Sequence, residues 1–176
     1  MIITLTGFMG CGKSSIGKRL SELLCCRFLD MDSVIEEREG RPISEIFAEE
    51  GEAAFRKLEQ NILRGIIEGH ALQPSPELIV ALGGGTLTTA ECAELVHGNT
   101  LCIYLRGSVE TLMERLAGGT AHRPLLTGSD LRERIEDLMA LRSGTYEKTA
   151  HIIIDTDGYT VEELAIRSSH LVREGL

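Results

Sequence analysis

The sequence of 176 residues is short of positive charge: 18 Lys and Arg stand against 27 Asp and Glu, a formal net charge of −9. An extended surface for nucleic acid or anionic membrane normally needs a basic excess, so neither is expected as a partner, and any bound anion must meet locally focused positive charge. Long apolar runs are missing too. No stretch approaches bilayer-crossing length, and the N-terminal run Ile2-Ile3-Thr4-Leu5-Thr6 is too short for a signal-peptide core and has no basic leader. A cytoplasmic protein is expected. The five cysteines, at 11, 25, 26, 92 and 102, are odd in number and lack a C-x-x-C spacing, which speaks against a disulfide framework or a zinc site. Cys25, Cys26, Cys92 and Cys102 lie among apolar residues and are expected as small core fillers. The histidines at 70, 97, 122, 151 and 170 show no metal-ligand spacing and are expected at surface or boundary positions. Internal repeats and low-complexity segments are absent, and the length suits one domain around a continuous core.

What is present begins directly after the first apolar run. Gly7-Phe8-Met9-Gly10-Cys11-Gly12-Lys13-Ser14 reads as a phosphate-binding P-loop that closes a strand and opens a helix. Its glycines let the backbone curl so that N–H groups face phosphate oxygens, and the helix adds the positive end of its dipole. Lys13 is placed to reach the β- and γ-phosphates, and Ser14 to ligate the Mg²⁺ that accompanies a nucleoside triphosphate. Cys11 inside this loop is expected as a tolerated small residue. Its position near a helix N-terminus and Lys13 would favour the thiolate if it were accessible.

Apolar spacing predicts a helix from Lys13 toward Cys25, a short strand at Phe28-Leu29, and two or three helices from Ser33 to Gly69 broken at Gly40-Arg41-Pro42 and Gly51. Leu78 to Leu82 and Leu101 to Leu105 read as buried parallel strands, with a helix capped by Thr88 or Thr89 and running through Leu95 between them. Ser108 is expected to cap a helix through Leu116, residues 118–129 form a polar loop, Leu131 to Tyr146 is helical, Ile152 to Ile154 is a last strand, and Thr160 opens a C-terminal helix. Such alternation predicts an α/β fold. A parallel sheet of about five strands, with helices on both faces in three α/β/α layers, is the P-loop NTPase arrangement. Ligands of such sheets bind beyond the strand C-termini, so the P-loop, Asp30-Met31-Asp32 and Gly83-Gly84-Gly85 gather on one edge.

Asp30 and Asp32 can divide labour, one holding Mg²⁺ and the other accepting a proton from an acceptor hydroxyl; the plain alternative is a helix N-cap at Asp32 or Ser33. Arg56 and Glu59 are neighbours on one helix face, as a surface ion pair would be. Gly83 to Gly85 admit either a flexible turn or close backbone approach to a small ligand. Gly118-Gly119 ahead of Arg123-Pro124-Leu125-Leu126 can serve as the hinge of a flap, or as a plain connection, and Arg142 alone reads as a solvated charge.

Together these segments resemble the shikimate kinase family: the P-loop with Lys13-Ser14, Asp30-x-Asp32, Gly40-Arg41-x-Ile43-x-Glu45-Ile46-Phe47, Gly51-Glu52-x-x-Phe55-Arg56-x-x-Glu59, the triple glycine, Arg123-Pro124-Leu125-Leu126, and Arg142 before Tyr146. The resemblance covers almost the whole chain. It implies ATP-dependent phosphorylation of the 3-hydroxyl of shikimate, a step toward chorismate and the aromatic amino acids. Catalytic roles fall on Lys13, Asp32 and Arg123. Nucleotide contacts fall on Gly10, Cys11, Gly12, Lys13, Ser14, Ser15, Arg115 and Arg123, and Mg²⁺ on Ser14 and Asp30. Shikimate falls to Asp32, Arg56, Gly83, Gly84, Gly85 and Arg142, with Glu59 steadying Arg56. A small polyol acid independently calls for arginine forks and an acidic group. Arg115 lies one position farther from Arg123 than the family spacing, and the second adenine-side element, Asp155-Thr156-Asp157, has no arginine beside it in sequence. The expected organisation is one domain, 1–176, with a nucleotide core (1–32, 78–117, 131–176), a substrate-binding helical region (33–69) and a mobile lid (118–130), acting as a monomer. A gluconate or nucleoside-monophosphate kinase and a nucleotide-dependent switch are the competing readings.

Overall fold

The computed structural model describes residues 1–69, 77–117 and 131–174. Their apolar runs become five parallel strands: β1 (Ile2–Thr6), β2 (Arg27–Asp30), β3 (Leu78–Ala81), β4 (Leu101–Arg106) and β5 (Ile152–Asp155), in the order β2-β3-β1-β4-β5. Successive residues of a strand face opposite sides. Ile2, Leu78, Val80, Cys102 and Tyr104 therefore join one buried cluster, whereas Ile3, Leu5, Ile79, Ile103, Leu105 and Ile154 join the other. Two apolar faces require two covering layers. Helices α1 (Lys13–Leu24), α5 (Val109–Ala117) and α7 (Val161–Glu174) supply Ile16, Leu20, Leu112, Leu164 and Val172 to the second cluster; α2 (Met31–Glu39), α3 (Ile43–Glu68) and α4 (Ala90–Asn99) supply Ile35, Ile62, Leu63 and Val96 to the first. Helix α6 (Leu131–Thr149) serves both, through Ile135 and Tyr146. The expected three-layer α/β/α arrangement is the observed one. Among the described residues no helix is long and apolar enough to cross a membrane.

Register places the site. Leu5 and Asp30 both pair with Ala81, so the chain leaves β1, β2 and β3 at one level and deposits the P-loop, the Asp30-Met31-Asp32 segment and the triple glycine side by side. Helix α3 continues past the expected break, but Gly51 within it sits at φ 83° and ψ 171°, so two helical rods meet at a kink there.

Several local expectations are corrected. Helix α2 starts at Met31, and its cap is Asp30, which accepts from the N–H groups of Asp32 at 3.1 Å and Ser33 at 3.4 Å; neither Asp32 nor Ser33 is the cap. The hydroxyl of Thr88 donates to Gly85 O in a 3₁₀ turn (Thr86–Thr88), and Thr89 stands at the N-cap of α4 without a side-chain cap bond. Ser108 does cap α5, accepting from Thr111 N at 3.2 Å. Thr160 and Glu163 form a reciprocal capping box at the start of α7. Cys92 and Cys102 are core fillers, whereas Cys25 is exposed in a left-handed turn that ends α1 and Cys26 is only half-buried. His97 and His151 lie at the surface, their rings stacked at 4.6 Å.

Candidate active site

The P-loop owes its path to glycine. Gly7, Gly10 and Gly12 all have positive φ, and a Cβ at Gly7 would stand 2.5 Å from Leu105 O. The loop thus lies tight against β4 before Gly12 hands over to α1. Lys13 folds back so that its ammonium donates to Gly7 O at 2.8 Å and Phe8 O at 3.0 Å, which fixes a positive charge over the loop. Ser14 Oγ donates to Asp30 Oδ2, which brings the two residues expected at the metal side by side. Ser15 is exposed on the first turn of α1. Cys11 is completely buried, and its packed thiol is out of reach of a reagent, which removes the expectation of a reactive thiolate there.

Asp32 lies at the cleft surface beyond β2, exposed but crowded. Desolvation, then the Asp30 carboxylate, pushes its pKa up to about 6; Lys13 opposes the rise, and Glu59 and Glu36 add to it. Gly83 sits between the two acids that matter most: a Cβ there would be 3.0 Å from both Asp32 Oδ1 and Glu59 Oε1.

The arginines are where sequence reading alone was furthest off. Arg142, read in isolation as a solvated charge, is 5 % exposed, because α6 lays it against the triple glycine. Its Nη1 donates to Gly84 O at 3.2 Å, and Tyr146, one turn on, donates to the same carbonyl. Burial pushes the Tyr146 hydroxyl up to about 12, so it remains a donor. No carboxylate pairs with Arg142 among the described residues, and its Nε finds no partner. Arg56, likewise read as half of a surface pair, is covered by Gly85, whose Cβ would be 2.2 Å from Arg56 Nη2; only glycine allows that approach. Its guanidinium carbon lies 5.2 Å from the Phe55 ring centroid, Nη1 donates to Glu59 Oε2 at 2.7 Å, and its Nε is also buried without a partner. A buried guanidinium with an idle donor is costly unless an anion completes it. Arg142 is such a group, and Arg56, 13 % exposed and already paired with Glu59, leaves only its Nε idle; the two flank Gly84 and Gly85.

On the nucleotide side, Arg115 donates to Cys11 O at 3.1 Å and to Thr156 O at 3.3 Å, tying the P-loop to the turn after β5. The Asp155-Thr156-Asp157 segment, which has no arginine beside it in sequence, gains two from the fold: Arg115 reaches Thr156 from α5, and Arg106 on the neighbouring strand forks onto Asp155. Arg123, Gly118 and Gly119, with the whole expected lid, lie outside the described residues. The sequence reading missed Thr86, whose hydroxyl donates to Glu59 Oε1 at 2.5 Å; its only sequence signal was its place next to the triple glycine.

Comparison with known proteins bears on the family and the fold. A sequence model described as shikimate kinase matches residues 9–172. The shikimate kinase of Rhodococcus jostii is 46% identical over 154 residues, spanning 88% of this chain and 87% of that protein. The shikimate kinase of Thermus thermophilus is 40% identical over 162 residues, spanning 92% and 84%. The solved structure of shikimate kinase from Acinetobacter baumannii in complex with shikimate superposes with a TM-score of 0.90 at 33% identity, over 99% of this chain and 93% of that one. With the pattern running through the site residues and the fold recovered over nearly its whole length, the chain belongs to the shikimate kinase family.

Proposed function

We propose specific roles for these residues in the activity the family brings to this chain, ATP-dependent phosphorylation of the 3-hydroxyl of shikimate. The observation that carries the assignment is the buried Arg142 and the half-buried Arg56, each with a buried, unpartnered Nε, beside a glycine run and an acid of raised pKa. Shikimate carries one carboxylate and three hydroxyls on a small ring. Arg56 and Arg142 take the carboxylate, Gly83 to Gly85 let the ring approach the backbone, and Asp32 accepts hydrogen bonds from the hydroxyls. Ionised Asp32 then receives the proton of the attacking hydroxyl as its oxygen bonds to the γ-phosphorus and the bond from that phosphorus to the β–γ bridging oxygen breaks, releasing ADP.

The P-loop, from Gly10 through Ser15, receives the phosphates of ATP with Lys13 matched to the transferring group. The donor set at the metal position, a hydroxyl and a carboxylate, suits Mg²⁺, a hard cation that takes its other ligands from phosphates and water. When bound, Mg²⁺ supplies charge neutralisation between the phosphates. Arg115 stands on the base side, and Arg123, by family likeness, contacts the transferring phosphate from the lid segment 118–130. Residues 33–69 form the acceptor-binding region, and 1–176 act as one domain. The assignment includes a monomer in the cytoplasm.

A coupled assay of ADP release with shikimate, quinate, gluconate and nucleoside monophosphates as acceptors tests the assignment. Turnover with shikimate at least tenfold above the others is expected; equal or better use of gluconate or a nucleotide would reject it, and ADP release that ignores every acceptor would point to a switch.

A further inference from the structure

Three arginine–carboxylate pairs in this chain differ in one respect. Arg19 grips Glu162 as a fork, Nε to Oε2 at 2.5 Å and Nη2 to Oε1 at 2.9 Å, and Arg106 grips Asp155 in the same way at 2.6 and 3.2 Å. Both use the side edge of the guanidinium, the arrangement that a carboxylate with two free oxygens prefers. Arg56 and Glu59 do not. They share a single bond, Nη1 to Oε2 at 2.7 Å, while Arg56 Nε has no partner and Nη2 has only Glu52 at 3.4 Å.

The cause is Thr86. Glu59 is 1 % exposed, and its other oxygen, Oε1, accepts from Thr86 Oγ1 at 2.5 Å. Thr86 is itself fully buried and held in the 3₁₀ turn, with its N–H donating to Gly83 O at 3.2 Å. With Oε1 held by this fixed, buried hydroxyl and Oε2 by Nη1, swinging the Glu59 carboxylate round to the Nε edge of Arg56 would break the Thr86 bond and leave a buried hydroxyl unpaired.

We propose that Thr86 is a positioning residue for the acceptor: by occupying Glu59 Oε1 it keeps Glu59 off the side edge of Arg56 and reserves that edge for the acceptor's carboxylate. The proposal rests on the reading of Arg56 as a carboxylate holder. Thr86→Val keeps the shape and removes the hydroxyl, and Thr86→Ser keeps the hydroxyl. For Thr86→Val, the KM for shikimate should rise about tenfold, the scale of one hydrogen bond to a charged group. Its kcat and its KM for ATP should stay within about twofold, the resolution at which a hydrogen-bond effect is distinguishable. Thr86→Ser should restore the wild-type KM. With an acceptor whose carboxylate is replaced by a neutral amide, Thr86→Val and wild type should perform alike.

A rise of equal size for ATP and shikimate, a Ser variant as poor as the Val variant, or the same penalty on the amide would each overturn the proposal. If Thr86→Val does not fold, as judged by circular dichroism and thermal melting, Thr86→Ala is measured in its place; failure of both to fold shows a structural role and also overturns it. A wild-type enzyme inactive on shikimate rejects the functional reading and this proposal with it, whereas an active wild type with unaffected variants rejects the proposal alone.

Discussion

The phosphate side and the acceptor side of the cleft are built on opposite principles. The P-loop is a contiguous stretch of backbone in which the cation is already satisfied, with Lys13 donating to Gly7 O and Phe8 O and Ser14 to Asp30. The acceptor side is assembled from side chains of α2, α3 and α6 around the glycines that follow β3, and it holds two guanidinium groups, Arg142 buried and Arg56 half-buried, whose buried Nε donors are idle. One half is preorganised and largely self-satisfied. The other stores unmet hydrogen bonding that, on the proposed assignment, the acceptor's carboxylate completes, which puts selectivity there and the general chemistry of phosphoryl transfer in the loop.

The largest effects should come from removing one charge on each side. Lys13→Ala should lower kcat about a thousandfold or more, as loss of a group that meets transition-state charge does, and should weaken ATP binding. Asp32→Asn should lower kcat by about 10² to 10⁴, the range for a general base, while ATP binding, measured by calorimetry, stays within error of wild type. The contrast between the halves breaks if Asp32→Asn loses ATP affinity as well.

A smaller effect isolates geometry from charge. Arg56→Lys keeps the cation and loses the fork, so shikimate affinity should fall about 10- to 100-fold, as expected for hydrogen bonds to a charged group, with ATP affinity unchanged. An acceptor with a neutral group in place of the carboxylate should suffer a similar loss on the wild-type enzyme. Mutant and analogue together should cost less than the sum of their separate penalties. Strict additivity around that cycle would separate Arg56 from the carboxylate.

The same division explains what could be read from the sequence. Backbone-built features follow from local residues: the P-loop, the five strands, the helix end at Gly40 and the kink at Gly51 were legible because glycine placement and apolar runs act over a few residues. Caps were less legible, since Asp30, Asp32 and Ser33 are equally able acceptors and only the register of β2 decides among them. Side-chain sites were the least legible. Arg142 reads as a solvated charge until α6 packs it against Gly84, and Cys25 reads as core until the left-handed end of α1 turns it outward. Arg115 and Thr156, 41 residues apart, meet only because β4 and β5 are neighbours in the sheet. The family resemblance supplied the arginine roles that local chemistry could not, and it carried no hint of Thr86.

The mildest prediction concerns the stability of the acceptor side. Burial and the Asp30 carboxylate raise Asp32 from 3.8 to about 6 in the folded protein, so folding favours its protonated form. For an acid raised in this way the cost of ionisation is fully present above about 6, shrinks as pH falls from 6 toward 3.8, and is gone below. Activity has the opposite sign, because the base must be ionised: kcat/KM should decline as pH falls through about 6. Lowering pH through one window should therefore relieve the folded state at this residue while switching the reaction off. Asp32→Asn carries no titrating group, so its melting temperature should exceed that of wild type by a few degrees at pH 7 to 8, the scale of a small change in a domain of this size, and the difference should close by about pH 4. A gap that stays constant across that range would mean that Asp32 does not ionise against its surroundings. The acceptor half would then be as self-satisfied as the phosphate half, and the contrast between them would reduce to the arginines.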